Sequence, residues 1–162
     1  MKILFSLFLI TTLNTNIMAF EIRTEILIHA KPEKVWAIFT NFKNYPIWNP
    51  FIKSLTGTVK VGNKIAVFLQ QPDSKGMTFK PKVLAYKENK EFRWLGHLLI
   101  PGIFDGEHQF KLIDNGDGTT TFIQSERFRG ILVPFLKKQL QTNTKNGFQE
   151  MNEKLKELVE KS

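Results

Sequence analysis

The chain has 162 residues, the length of a single domain, and 42% of them are hydrophobic, which is enough for a substantial core. Phenylalanine alone accounts for 15 residues, so a large interior lined by aromatic rings is expected. The absence of cysteine excludes a disulfide framework, a thiolate nucleophile and a cysteine-ligated zinc site.

The net charge of +8 is spread along the chain, because the lysines are interleaved with acidic residues. This pattern is typical of a solvated surface, and no nucleic-acid partner is expected. A basic surface also favours transient contact with an anionic membrane, which stays open as an alternative. With three histidines and no cysteine, neither a metal site nor a cofactor is expected.

The first residues, MKILFSLFLITTLNTNIMAF, predict a segment outside the folded domain. An early lysine precedes the apolar run Ile3–Ile10, which is too short to span a bilayer as a helix, and a polar stretch then ends at Ala19. Residues 1–19 are therefore either a signal peptide of a periplasmic or secreted protein, or an upstream extension before a cytoplasmic start at Met18.

The folded pattern begins with alternating apolar and polar residues over Glu21–His29, which predict a strand. Pro32 suits the first turn of a helix, and an apolar stripe follows it at helical spacing. A second short helix is predicted around Asn41–Ile47. The two helices are then followed by Trp48 and Phe51, which either line the mouth of a pocket or fill the core.

Four further strands are predicted from alternation of period two, over Ile52–Val59, Asn63–Gln71, Met77–Tyr86 and Glu91–Leu99. Their short connections favour an antiparallel meander. Pro81 has no N–H to donate to a neighbouring strand, so the third of these strands is expected to be bulged or edge-like near its middle.

A hairpin is the most informative stretch. The segments Phe104–Ile113 and Thr119–Arg129 flank Asp114–Gly118, whose residue types suit turn conformations. Side chains alternate between the two faces of a strand, so one face of this hairpin is largely apolar but carries His108, Gln124 and Glu126. Polar groups on a face turned to the core are costly unless they have partners.

Closure of this hairpin about Gly116, together with a preceding turn near Pro101, predicts three rows of side chains across the sheet. The row of two glycines beside a carboxylate leaves volume that a ligand or waters can fill. The predicted rows are Phe92–Phe110–Phe122, Trp94–His108–Gln124 and Gly96–Gly106–Glu126.

The C-terminal segment Leu136–Val159 carries one apolar stripe at spacings of three and four, which predicts a single long amphipathic helix. At ~1.5 Å per residue it would extend roughly 35–40 Å, enough to cross the face of a curled sheet. Gly147 within it is expected to permit close approach of a strand or of a bound molecule.

The order of elements and four short motifs resemble the START-like superfamily, in its bacterial polyketide cyclase/dehydrase-like branch. The motifs are AKPEKVW at 30–36, YPIWNPF at 45–51, FDGEH at 104–108 and SERFRG at 125–130. The resemblance implies an α+β helix-grip fold over residues 20–162. In that fold a strongly curved antiparallel sheet of about seven strands wraps around the long C-terminal helix, with two short helices after the first strand and a ligand cavity between sheet and helix.

The expected partner is a small hydrophobic molecule held in this cavity. His108 and Glu126 are the candidate catalytic residues, although no motif makes either of them a firm assignment. The residues expected to contact the ligand are Trp48, Phe51, Phe79, Phe92, Trp94, Gly96, Gly106, His108, Phe110, Phe122, Gln124, Glu126, Phe148 and Met151.

Three interpretations of the buried polar residues stay open at this point. They form a satisfied internal network, they orient a ligand in an apolar pocket, or they move a proton during a reaction. Three functions also stay open. They are the binding or transport of a lipid or aromatic polyketide-like ligand, the cyclisation or dehydration of a polyketide-like substrate, and docking to a protein or membrane.

Overall fold

A computed structural model describes residues 19–70 and 75–162 of the chain. The predicted signal peptide or upstream extension therefore lies almost entirely outside the described residues, as does Gln71 at the end of one predicted strand. In the described part of the chain, no helix is both long and apolar enough to cross a bilayer.

The described residues form eight strands and four α-helices. β1 leads into two short helices, five strands follow before the long hairpin of β7 and β8 closes the sheet, and helices complete the chain. The bounds are β1 Phe20–Ile28, α1 Pro32–Phe39, a 3-10 turn Phe42–Asn44, α2 Tyr45–Trp48, β2 Ile52–Thr56, β3 Ala66–Leu69, β4 Met77–Phe79, β5 Lys82–Lys87, β6 Glu91–Leu98, β7 Phe104–Asp114, β8 Thr120–Arg129, α3 Val133–Gln139, a π turn Leu140–Thr144 and α4 Lys145–Lys161.

The strands make a five-stranded antiparallel sheet in the order β1-β8-β7-β6-β5 and a three-stranded antiparallel sheet in the order β2-β3-β4. The two sheets are joined by backbone hydrogen bonds, in which Val83 N donates to Asn63 O at 2.9 Å and Ile65 N donates to Pro81 O at 3.0 Å. The α+β helix-grip architecture expected from the sequence is thereby confirmed.

One segment that was predicted as a single strand forms two strands in the structure. The segment predicted as Met77–Tyr86 is divided into β4 and β5 at Lys80 and Pro81, so that its halves belong to different sheets. Proline cannot donate a backbone hydrogen bond to the ladder, and the chain turns from one sheet to the other where that bond is missing.

The concave side of the larger sheet holds the core. α4 crosses it and buries Phe148, Met151, Leu155 and Val159. α1 adds Phe39, whose ring centroid lies 4.7 Å from that of Phe110. The buried face of α4 follows the apolar stripe seen in the sequence, because residues three and four apart share one face of a helix.

The predicted long C-terminal helix is confirmed, and it begins at Val133, three residues before its expected start at Leu136. Its backbone is helical from Val133 to Lys161, with the π turn Leu140–Thr144 as a π-helical segment between α3 and α4. A π turn inserts one residue into the helical repeat, which shifts the apolar stripe around the axis. The sequence gives no sign of this insertion, since the residues on both sides keep a helical spacing.

Half of the predicted strand register is confirmed. β6 and β7 pair with Phe92 opposite Phe110, Trp94 opposite His108 and Gly96 opposite Gly106. The β7–β8 half is wrong by two residues, because Phe110 lies opposite Gln124 and His108 lies opposite Glu126. A shift of two keeps every side chain on its predicted face.

The loop explains the shift. Residues 115–119 form a five-residue connection centred on Asp117, one position beyond the assumed centre at Gly116. Two aspartate side chains fix it, with Gly116 N donating to Asp114 Oδ1 at 2.9 Å and Thr119 N donating to Asp117 Oδ1 at 3.0 Å. Such contacts between an aspartate and the backbone two residues on stabilise turns locally.

The outer face of the sheet differs from expectation at β8. Ile123 and Ser125 alternate with the inward-facing Gln124 and Glu126, so the sequence pattern predicts that they face water, yet they are 7% and 6% exposed. β8 lies between β1 and β7, so side chains of both neighbours cover it.

Gly147→Ala is predicted to destabilise the protein. A Cβ at this position would overlap the buried Phe51 ring, lying 2.9 Å from its Cε2 atom. Overpacking of this kind costs about 1–3 kcal/mol, against about 1 kcal/mol gained from helix propensity. Urea unfolding should therefore show a net loss of up to about 2 kcal/mol. Phe51→Leu should relieve the overlap, so a double mutant that loses the full sum of the two single effects would contradict this contact.

Glu91→Gln is predicted to make stability less dependent on pH. Burial alone would raise the pKa of Glu91, but the hydrogen bond from Gln109 and the charges of Arg93 and Lys87 lower it overall. A carboxylate with a lowered pKa stabilises the fold above its unfolded pKa, and this contribution is lost as the pH falls through the folded value.

The free energy of unfolding of the wild type should therefore fall more steeply than that of Glu91→Gln as the pH is lowered from neutral to below about 4, near the ordinary value for glutamate. Urea titrations at a series of pH values measure this difference. Glu88→Gln, in the exposed turn before β6, is the matched control and should keep the wild-type slope. Equal slopes for all three proteins would contradict the role assigned to Glu91.

Candidate functional site

A cavity of about 390 Å³ lies between the smaller sheet, the adjoining ends of β6, β7 and β8, and the helical segment that includes α3 and the π turn. Most of its wall is apolar. The apolar side chains are Phe51, Val67, Leu69, Met77, Phe79, Pro81, Trp94, Leu98, Phe104, Phe128, Leu136 and Leu140. The polar residues on its wall are Lys75, His97, Glu126, Gln139 and Thr144, and three glycines complete it.

Two facing glycines keep part of this space open. Gly96 and Gly106 pair across β6 and β7, and both lie on the cavity wall. A Cβ at Gly96 would meet no atom closer than Pro81 Cβ at 3.7 Å, so the volume above this residue is free. At Gly106 a Cβ would lie 2.5 Å from Glu126 Oε1, so this glycine makes room for the carboxylate.

The π turn supplies the opposite wall. Leu140 and Thr144 are its first and last residues, and both line the cavity together with Leu136 of α3. The apolar stripe of the C-terminal segment is therefore divided, with its first part on the cavity and its second part, from Phe148 onward, in the core. π turns within helices occur frequently at functional sites.

Glu126 is the acidic group among the described cavity residues. Its side chain is 13% exposed, and its Oε2 atom lies 3.5 Å from Nδ1 of His108. This distance exceeds the usual range of a charge-assisted hydrogen bond, so the contact with His108 is weak. The carboxylate oxygens of Glu126 can therefore accept hydrogen bonds beyond the long contact with His108.

His108 lies behind the cavity wall. It is fully buried, and the indole of Trp94 stacks on its ring at a centroid distance of 4.8 Å. Its Nε2 atom is 3.1 Å from Nε2 of Gln124. This contact ties the His108 ring to Gln124 within the core, while its Nδ1 atom lies on the side of Glu126.

Six of the predicted ligand-contacting residues lie on the cavity wall: Phe51, Phe79, Trp94, Gly96, Gly106 and Glu126. The other eight do not line it. Seven of them are buried in the core, namely Phe92, His108, Phe110, Phe122, Gln124, Phe148 and Met151, and Trp48 packs against Tyr45 with ring centroids 5.3 Å apart.

The protein's own rings account for this division. Phe39 of α1 lies 5.3 Å from Phe122 and 4.7 Å from Phe110, measured between ring centroids, and fills the part of the concave face next to them. Phe148 of α4 lies 4.9 Å from His108 and covers that side chain. The cavity therefore covers only part of the concave face, because Phe39 of α1 and Phe148 of α4 fill the rest.

Sequence reasoning missed most of the wall formed by β3, β4 and α3. Two of the missed residues, Phe104 and Phe128, were on the correctly identified inner face of the hairpin, so alternation could have found them. Nothing in the sequence indicates that Val67 or Leu140 would approach them. His97 alternates with Gly96 and Leu98, so the pattern of the strand predicts that it faces outward, yet it touches the cavity and contacts Asp105 at 2.7 Å.

Tyr45 is a second unusual polar group, though it does not line the cavity. It is fully buried among aromatic rings, and its hydroxyl has no hydrogen-bond partner among the described residues. Burial raises the pKa of Tyr45 well above its ordinary value, and the nearby Tyr86 adds to this effect. The phenol is therefore neutral and structural. Within the described residues, no three metal-ligating side chains gather in one place.

The curved sheet, the C-terminal helices and the cavity between them define a helix-grip protein of the START-like class. The chain belongs to the family described as polyketide cyclase/dehydrase and lipid transport, whose model matches residues 19–160. Among curated proteins, no sequence matches this chain.

Solved structures with low sequence identity share the fold. The Zhui aromatase/cyclase from Streptomyces sp. R1128 has a TM-score of 0.72 at 8% identity, over 89% of this chain and 95% of that one. Norcoclaurine synthase from Thalictrum flavum, in complex with dopamine and hydroxybenzaldehyde, has a TM-score of 0.68 at 14% identity, over 90% and 88%. A START superfamily protein from Mycobacterium smegmatis has a TM-score of 0.66 at 18% identity, over 87% and 97%.

Gly96→Ala and Gly106→Ala are predicted to differ in sign. Alanine at Gly96 meets only ordinary contacts and removes the entropic cost of a glycine in a strand, so thermal unfolding of ligand-free protein should show a gain of roughly 0.5–1 kcal/mol. Alanine at Gly106 displaces the Glu126 carboxylate and should lower stability. Equal destabilisation by both changes would show that the space above Gly96 is not open.

Proposed function

We propose that the protein binds and carries a small, largely hydrophobic molecule, a lipid or an aromatic polyketide-like compound, with one polar group facing Glu126. The observation that carries this proposal is an apolar cavity of about 390 Å³ with a poorly partnered carboxylate on its wall. Small-molecule sites have volumes of roughly 300–1,000 Å³ and combine an apolar lining with few polar groups.

The apolar wall supplies the affinity in this proposal. Phe51, Trp94 and Phe128 each present ring surface to the cavity, and contact with a ligand removes that surface from water. Each Å² of apolar surface removed contributes about 25 cal/mol. A ligand that fills the cavity therefore gains most of its binding free energy from non-directional contacts, which favours a class of hydrophobic molecules over a single shape.

Glu126 supplies the selectivity. An ionised carboxylate accepts hydrogen bonds and cannot donate them, so it favours ligands with a hydroxyl, a phenol or an ammonium group at that point. A ligand carboxylate placed there would be repelled, because two like charges in a poorly solvated site destabilise each other.

An enzymatic role as a polyketide cyclase or dehydratase is the second candidate. It is supported by the family description and by the shared fold with the Zhui aromatase/cyclase. In such a reaction the cavity would hold a chain in a folded conformation, Glu126 would accept a proton, and His108 would position Glu126 from behind. Carriage without chemistry is favoured because only one of these two candidate residues lines the cavity.

Native mass spectrometry of protein purified from its host should show a small molecule that remains bound to the chain.

Titration of ligand-free protein with dodecanol, dodecylamine and dodecanoate should then rank the affinities of the alcohol and the amine above that of the acid. Glu126→Gln should weaken the amine about tenfold or more, since hydrogen bonds to charged groups contribute about 1.5–3 kcal/mol. Glu107→Gln, on the outer face of β7, is the matched control and should leave the ranking unchanged.

A steric block provides the second arm. Gly96→Val adds two methyl groups beyond the Cβ that alanine accommodates, so it should occupy the cavity and weaken all three probes while the fold stays intact. Unchanged affinities in Gly96→Val would place the ligand elsewhere and overturn the proposal. Turnover of a polyketide-like substrate that is lost in Glu126→Gln would favour the enzyme over the carrier.

A further inference from the structure

Four large apolar side chains are largely exposed to solvent in two neighbouring segments. Leu99 and Ile100 belong to the turn between β6 and β7, and they are 81% and 60% exposed. Ile131 and Phe135 flank the beginning of α3, and they are 65% and 83% exposed. These four residues are called the apolar rim below. Single exposed apolar residues are ordinary, but a cluster of this size usually marks an interaction surface.

Backbone hydrogen bonds hold the two segments together as one surface. Ile131 N donates to Gly102 O, and Leu132 N donates to Ile103 O, each at 3.1 Å. Leu99 has a φ of +67°, a left-handed conformation that is unfavourable for a leucine. The turn therefore presents this side chain to solvent in spite of a conformational cost, which residues at functional surfaces commonly bear.

The apolar rim adjoins the mouth of the cavity. Leu98 and Phe104, at the two ends of the turn, line the cavity, and so does Leu136, the residue after Phe135. Exposed apolar surface thus continues into the cavity lining without an intervening charged residue in either segment, since residues 98–104 and 130–136 contain none.

The sequence on the helical side of the apolar rim is rich in positive charge. From Arg127 to Gln149 the sequence contains Arg127, Arg129, Lys137, Lys138 and Lys145, and no aspartate or glutamate. The nearest acid in sequence on the other segment is Asp105, which already pairs with His97 and accepts a hydrogen bond from Gly102 N at 3.0 Å. Arg127 pairs with Glu21 at 3.6 Å, whereas Lys137, Lys138 and Lys145 are exposed and make no ion pair with a described residue.

We propose that the apolar rim docks the protein on an anionic lipid bilayer, with the mouth of the cavity turned toward the lipid. Apolar and aromatic side chains enter the boundary between headgroups and acyl chains, and lysines beside them keep their ammonium groups at the negatively charged surface. Lys137 and Lys138 are placed for this in the turn of α3 that follows Phe135. Lys137, Lys138 and Lys145 make no ion pair with a described residue, and several such cations fit a surface of many phosphates better than a single protein epitope.

This docking does not depend on the proposed ligand. The rim residues Leu99, Ile100, Ile131 and Phe135 are not among the residues that line the cavity, so a protein whose cavity holds nothing would still dock. A variant with a blocked cavity therefore separates the two proposals.

Co-sedimentation with vesicles tests the docking. The probes are vesicles of phosphatidylcholine alone and of phosphatidylcholine mixed with phosphatidylglycerol. The protein is used as the full chain and as the chain beginning at Met18, which retains every described element. Wild-type protein should bind the mixed vesicles more tightly, and added salt should weaken this preference because it screens exposed charges.

The double variant Ile100→Ser, Phe135→Ser should reduce binding to mixed vesicles at least tenfold in both forms. Ile47→Ser is the matched control, because Ile47 is 84% exposed on α2 and does not line the cavity, and it should bind like wild type.

Lys138→Gln should weaken binding to mixed vesicles and leave binding to pure phosphatidylcholine unchanged, whereas Lys60→Gln, on an exposed loop, should change neither. Gly96→Val should dock normally.

Equal vesicle binding by wild type and the double variant would overturn the proposal, as would tight binding that ignores phosphatidylglycerol. Absence of vesicle binding together with a dimer or a protein complex that the double variant abolishes would also overturn it, and would make the rim a protein interface. Normal docking of Gly96→Val with lost ligand binding would leave both proposals standing.

Discussion

Four aromatic side chains in mutual contact are divided between the core and the cavity wall. The structure depends on this partition. Phe51 meets Phe148 edge to face at 5.4 Å, Phe148 lies 4.9 Å from His108, and His108 stacks under Trp94 at 4.8 Å. Phe51 and Trp94 also line the cavity, while Phe148 and His108 are fully buried. Aromatic pairs of this kind contribute about 0.5–1.5 kcal/mol each beyond their buried area, so the partition is stable without a ligand.

The partition explains why the polar residues of the hairpin have different roles. On its core side, His108 and Gln124 contact each other and are shielded completely, which makes them part of the packing. On its cavity side, Glu126 is shielded from bulk water but has only a long contact with His108. A shielded carboxylate is costly unless it accepts hydrogen bonds. A ligand that donates one would recover this cost, which is why the proposed selectivity rests on Glu126 alone.

The sequence predicts which face of a strand each side chain lies on, but it does not predict where the helices pack on that face. Alternation placed Gly96, Gly106 and Glu126 on the concave side, where they are found. It could not detect the two-residue shift of β8, because such a shift leaves every face unchanged and is decided by the loop around Asp117. It also could not assign Phe39 to Phe110, since an apolar stripe predicts that a helix packs but not where it packs.

The π turn links the cavity with the surface around it. α3, the π turn and α4 are consecutive parts of one helical run, and without the π turn its apolar residues would keep a single continuous stripe, as their spacing predicted. With it, α3 presents Leu136 to the cavity and, one residue earlier, leaves Phe135 exposed. The same short helix therefore forms part of the cavity wall and part of the apolar rim. A hydrophobic molecule that leaves a bilayer between α3 and the turn at Leu99 would meet Leu98, Phe104 and Leu136 on the cavity wall, which also carries the shielded carboxylate of Glu126.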